Sequence, residues 1–85
     1  MYKIVFEPSA ASALIKIPRN TALLIRKKID ILAESPFVTH LPVKRLQGQE
    51  GYRLRVGDWR VLCTVKRQKL IIHIVKIAPR GEVYR

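Results

Sequence analysis

Eighty-five residues, 48% of them hydrophobic, suffice for one small domain with a modest core. They are too few for a dinucleotide-binding unit with a second domain, a TIM barrel or a kinase, and too apolar for general disorder. Seventeen Lys and Arg against six Asp and Glu leave a net charge of +11. A compact body so charged repels itself unless nucleic acid, an anionic membrane surface or an acidic protein lies against it.

The chain opens with Tyr2 to Phe6, a short apolar-rich run ended by Glu7-Pro8, which predicts a first strand. Ser9 to Ile17 carries Ala10, Ala13, Leu14 and Ile17 at helical spacing, with Ser9 as the cap, and Pro18 closes this helix. Asn20 or Thr21 caps a second, longer helix that runs to about Glu34, with Ala22, Ile25, Ile29, Leu32 and Ala33 as its apolar stripe. Arg26, Lys27 and Lys28 lie mostly off that stripe, and Arg26 and Lys28 are expected to make at most peripheral phosphate contacts. Ser35-Pro36 ends the helix, because the residue before a proline avoids the helical region.

The second half changes period. Val43 to Leu46 is a short extended run closed by Gly48. Tyr52 to Val56, Gly57-Asp58 and Trp59 to Val65 read as two strands alternating with period two around a two-residue turn, Gly57 suiting type II′. Leu70 to Ile77 follows a polar Arg67-Gln68 turn. The expected architecture is α+β: an N-terminal strand, a two-helix pair, then an antiparallel four-stranded meander, all in one domain over residues 1–85. The first 42 residues hold six basic and three acidic side chains, and the remainder eleven and three, so the sheet half carries the charge.

With Gly57-Asp58 as the turn, Val56 faces Trp59, Arg55 faces Arg60, Leu54 faces Val61 and Arg53 faces Leu62. One face then shows Tyr52, Leu54, Val56, Trp59, Val61, Cys63 and Val65 and must pack on the helices. The other shows Arg53, Arg55, Arg60, Leu62 and Thr64, joined by Ile71, His73, Val75 and Ile77 if Arg67-Gln68 is a two-residue turn. Arg55 opposite Arg60 costs stability, up to roughly 1 kcal/mol. A phosphate or carboxylate between them reverses the sign, since each guanidinium is a planar fork that holds a phosphate bidentately. A solvated basic face would account for one such pair. Three arginines converging on one face of a +11 domain point to an anion site.

Other candidates are weaker. Arg80 can swing back beside the sheet. Tyr84 offers a ring for stacking a base and a hydroxyl for proton transfer, or it merely anchors the tail. One of Lys44 and Arg45 should share the arginine face. His73 is an acid/base group or a satisfied sheet histidine, and His40 is a solvated loop residue. Cys63, the only cysteine, excludes an internal disulfide and reads as inert packing. The histidines and carboxylates lack metal-ligand spacing. No signal-peptide core survives Glu7-Pro8, and the run Leu70 to Val75 is too short to span a bilayer. The expectation is a soluble, cytoplasmic protein without membrane, metal or cofactor.

The string Leu46-Gln47-Gly48, then Tyr52-Arg53-Leu54-Arg55-Val56-Gly57-Asp58-Trp59-Arg60-Val61-Leu62, strongly resembles the RelE/ParE toxin superfamily. The ending Arg80-Gly81-Glu82-Val83-Tyr84-Arg85 resembles the tail of its RelE branch, and the likeness runs along essentially the whole chain. It implies a toxin of a type II toxin–antitoxin pair, a metal-independent endoribonuclease that cleaves mRNA in the ribosomal 30S A site and is neutralised by an acidic, RelB-like antitoxin. By the same resemblance Arg55, Arg60, Arg80 and Tyr84 are catalytic, and Lys44, Arg45 and Arg53 bind substrate. Pro79 stands where many relatives have histidine, and Arg53 and Arg55 stand where some active members have lysines. Arginine is a poor proton carrier, which leaves Tyr84 as the candidate base. The ParE branch shares the fold but poisons DNA gyrase, and a basic RNA-binding module without catalysis is a third reading.

Overall fold

The computed structural model describes residues 1–36, 40–48 and 51–81. The elements follow in the order β1 (Lys3–Phe6), α1 (Pro8–Lys16), α2 (Arg19–Glu34), β2 (Val43–Arg45), β3 (Tyr52–Val56), β4 (Trp59–Lys66) and β5 (Ile71–Pro79). The five strands form one sheet in the order β1-β5-β4-β3-β2. Strands β2 to β5 are the antiparallel meander, and β1 lies parallel to β5, with Lys3 opposite Ile71 and Phe6 opposite Ile74. No helix among the described residues is long and apolar enough to cross a membrane.

Proline chemistry places both helix starts. Glu7 is extended (φ −61°, ψ 147°) and Pro8 occupies the first turn, where a missing N–H costs nothing. Ile17 is extended (φ −77°, ψ 162°) because Pro18 follows it. Pro18 in turn holds the cap position of α2, and its carbonyl accepts the first helical bond, from the Ala22 N–H at 2.9 Å. Ser9, Asn20 and Thr21 are therefore inside the helices, not caps. The prolines set where the chain can turn helical, and neither helix has a side-chain cap bond. Ser35 ends α2 before Pro36, as expected.

The helices cover one sheet face. Ile25, Ile29, Leu32 and Ala33 of α2 and Ala10 of α1 are buried against Leu54, Val56, Val61, Cys63, Ile72, Ile74 and Ile77, with Tyr52, Trp59 and Val65 packed at the margin. All seven residues assigned to the inner face of the β3–β4 hairpin lie there. Gly57 has φ 58° while Asp58 keeps a negative φ, the signature of a type II′ turn. Gly51 has φ 131°, and a Cβ there would stand 2.9 Å from the Cys63 carbonyl oxygen, so glycine lets β3 start against β4. Burial pushes the Cys63 thiol up to about 11, which keeps it protonated and inert at neutral pH.

The β4–β5 connection departs from expectation. Lys66 pairs with Ile71, so the loop is residues 67–70, not a two-residue Arg67-Gln68 turn, and Leu70 takes φ 54° within it. Ile71 and His73 still fall on the arginine side, opposite Lys66 and Thr64. The register then slips: Cys63 pairs with Ile74 but Leu62 pairs with Lys76, leaving Val75 as the extra residue of a bulge. Beyond it every side chain changes face. Ile77, expected on the arginine face, is instead buried opposite Val61, and Lys76 takes the arginine side, opposite Leu62.

Candidate functional site

The site is built on the open face of the meander. The II′ turn sets the register of β3 and β4, which places Arg55 opposite Arg60 and Arg53 opposite Leu62. On the other side of β3, Lys44 pairs with Arg53, so it is Lys44 of β2 that joins the arginine face. Beyond β5 the Arg80 N–H donates to the Asp58 carbonyl at 2.9 Å, tying the tail to the turn. The Arg55 N–H donates to the Pro42 carbonyl at 3.1 Å, which fastens the preceding loop to the same corner. Lys44, Arg53, Arg55, Arg60 and Arg80 thereby line one cavity of about 410 Å³, closed by Pro42.

Arg60 is the centre of it. It is 7% exposed, the one buried charged residue among those described. Its Nη1 donates to the carbonyls of Gly57 (3.0 Å) and Trp59 (2.9 Å), so the turn holds the guanidinium in place. No buried side-chain N or O among the described residues lacks a partner, and Arg60 lines the cavity while its Nη1 is held by the turn. Its pKa is lowered, first by desolvation, then by Arg80, Arg55 and Arg53, with Asp58 opposing. An arginine remains cationic under such pressure, and an anion in the cavity would oppose it.

Replacing Arg55 tests this directly. Arg55→Thr should gain up to roughly 1 kcal/mol, or about 4–8 °C in Tm for a domain of this size, while weakening anion binding. The gain should shrink as salt screens the wild-type repulsion. A variant that melts below the parent at low salt would show that the pair is not repulsive.

Other candidates are not drawn in. Arg45 pairs with Tyr52 and lines a separate cavity of about 750 Å³ at the far end of β3, with Leu46, Gln47 and Val65. Alternation along a three-residue strand cannot place both Lys44 and Arg45 on one face. The Nε2 of His73 lies 2.8 Å from a Glu7 carboxylate oxygen, which makes it a paired sheet histidine. His40 is exposed. Tyr84 lies outside the described residues. Sequence reading gave Lys28 at most a phosphate contact on the helix; it lines an adjoining cavity with Arg55, Arg60 and Arg80, and its place off the apolar stripe of α2 gave no sign that the β3–β4 turn would come beside it.

The sequence model of the family described as ParE toxin of type II toxin–antitoxin system, parDE, matches residues 4–84. No curated protein matches the chain. Among solved structures, the toxin of the archaeal RelE–RelB complex from Pyrococcus horikoshii OT3 is similar at 29% identity and a TM-score of 0.82, covering 96% of this chain and 98% of that one. The isolated Escherichia coli RelE toxin shares the fold at 21% identity and a TM-score of 0.80, covering 99% and 92%. A YoeB/ParE toxin from Agrobacterium tumefaciens shares it at 14% identity and a TM-score of 0.78, covering 91% and 96%. With a family match over nearly all its length and this fold, the chain belongs to the RelE/ParE superfamily of type II toxin–antitoxin toxins.

Proposed function

We propose that this toxin is an endoribonuclease of the RelE kind, cutting mRNA in the ribosomal 30S A site. The observation that carries the reading is the buried, turn-anchored Arg60 within a cavity lined, among the described residues, by four further cations and no carboxylate. Such a site is suited to a phosphate that gains negative charge during reaction. A ribose 2′-oxygen loses its proton and attacks the adjacent phosphorus, the bond to the 5′-oxygen breaks, that oxygen takes up a proton from solvent, and a 2′,3′-cyclic phosphate and a 5′-hydroxyl result. Arg55 and Arg60 stabilise the phosphorane-like transition state. Arg53, Arg80 and Lys44 hold the backbone. Tyr84 stacks on a base or accepts the 2′-hydroxyl proton, a task for which the arginines are unsuited. Arg45, on the far cavity, is left to contact ribosomal RNA.

The partner in the resting cell is an acidic, RelB-like antitoxin that neutralises part of the +11 charge; the similar toxin from Pyrococcus horikoshii was crystallised with its RelB. The protein acts in the cytoplasm in this reading. The description of the matching family favours a second reading, a ParE-like toxin that inhibits DNA gyrase. Induction in cells followed by mapping of mRNA 5′ ends separates the two. The ribonuclease reading expects new 5′ ends inside translated frames and unchanged plasmid supercoiling. Intact mRNA with altered supercoiling would overturn it.

A further inference from the structure

The cation cavity does not end at the sheet. A second cavity, of about 540 Å³, adjoins it and shares Pro42, Arg55, Arg60 and Arg80, and α2 contributes Leu24 and Lys28 to its wall. Leu24 and Lys28 are one helical turn apart and lie side by side on the helix surface. Leu24 is 45% exposed, an apolar side chain that the core does not use. Lys28 is half-buried and has no carboxylate within ion-pair distance among the described residues. Arg26, by contrast, is committed to Asp30 at 3.1 Å and to the face of Phe6. Among the described residues Asp58 is the one carboxylate on this wall, against Lys28 and three arginines, so their balance is positive.

A groove of continuous positive charge with an apolar patch beside it is how proteins track single-stranded nucleic acid: cations follow the phosphates and flat or apolar surfaces take the bases. We infer that RNA seated in the arginine cavity continues over the β3–β4 turn to α2, where Lys28 holds a neighbouring phosphate and Leu24 packs against the adjoining base or ribose. This rests on the ribonuclease reading and adds to it a binding site on the helical layer. The sheet cavity fixes the reacting phosphate, and the α2 groove fixes the direction in which the strand leaves it.

The test is equilibrium binding of a pentaribonucleotide, methylated at every 2′-oxygen so that it cannot be cut, to the full chain across a salt series. Lys28→Gln should bind roughly fivefold more weakly at ~0.1 M salt, with a salt slope smaller by about 0.7, the share of one phosphate on a single strand. Lys27→Gln removes the same charge from a neighbouring position that lines neither cavity and should change neither quantity. Leu24→Ser should weaken binding without changing the slope. If Lys28→Gln behaves like Lys27→Gln while Arg55→Ala and Arg80→Ala lose affinity and slope, the α2 groove is not part of the RNA path and only the extension falls. If Arg55→Ala and Arg80→Ala also leave binding and slope unchanged, the ribonuclease reading fails and the extension with it.

Discussion

Arg60→Ala should lower the rate of mRNA cleavage on programmed ribosomes by ~10²–10³, the usual loss when one preorganised donor to a developing oxyanion is removed. Its effect on ribosome binding should be much smaller, because many other basic side chains contribute to that long-range attraction. The reason is geometric. The Gly57 and Trp59 carbonyls hold the guanidinium in a nearly buried position before any substrate arrives, so no reorganisation is needed as charge builds on the phosphate. The same bonds mean that truncation could loosen the turn, so thermal melts should accompany the kinetics. Arg60→Lys supplies a second check: it keeps the charge but has three donors on a flexible stem in place of a planar fork, and it should recover only part of the rate. A folded Arg60→Ala protein that cuts mRNA at the parent rate would refute the assignment of Arg60.

Tyr84 separates two chemistries. Tyr84→Phe keeps the ring and removes the hydroxyl; Tyr84→Ala removes both. If the ring stacks on a base, Tyr84→Ala should cost about 1–3 kcal/mol, read as a rise in KM or a fall in kcat/KM of roughly 5–150-fold, while Tyr84→Phe loses far less. That is the expected result, with some hydroxyl contribution. A phenol serves as a base near neutral pH only where cations lower its pKa, and they do so at close range. Loss of ~10²–10⁴ in kcat for Tyr84→Phe would instead assign proton transfer to the hydroxyl. If both variants and Arg60→Ala leave mRNA cleavage intact, the gyrase reading moves ahead.

Legibility in the sequence followed locality. The β3–β4 hairpin could be read residue by residue because a two-residue turn with Gly57 at its first centre sets the register of everything it joins. From that register came the inner face of seven residues and the Arg55–Arg60 pair. The helix interiors were legible from the spacing of Ile25, Ile29 and Leu32, but not the starts, since prolines rather than polar caps set them. The β4–β5 pairing was not legible, because the loop is four residues rather than two, and alternation gave only the faces of Ile71 and His73, up to the bulge at Val75. Nothing in the alternation of Leu70 to Ile77 marks an inserted residue, so Ile77 and Lys76 exchanged their expected faces.

What the sequence by itself determined is the α+β order of elements, the polarity of each face of the β3–β4 hairpin and the convergence of Arg53, Arg55 and Arg60. Each follows from contacts between residues close in the chain. Tertiary structure alone decided the rest: β1 beside β5 in parallel, Lys44 in the cavity and Arg45 outside it, Arg80 tied to the Asp58 carbonyl, and Lys28 brought next to the arginines. Those contacts join segments far apart in sequence. They are chosen by how the whole core closes over Ile25, Ile29, Leu54, Ile72 and Ile74, and non-directional burial of that kind leaves no periodic signature at the surface positions it brings together.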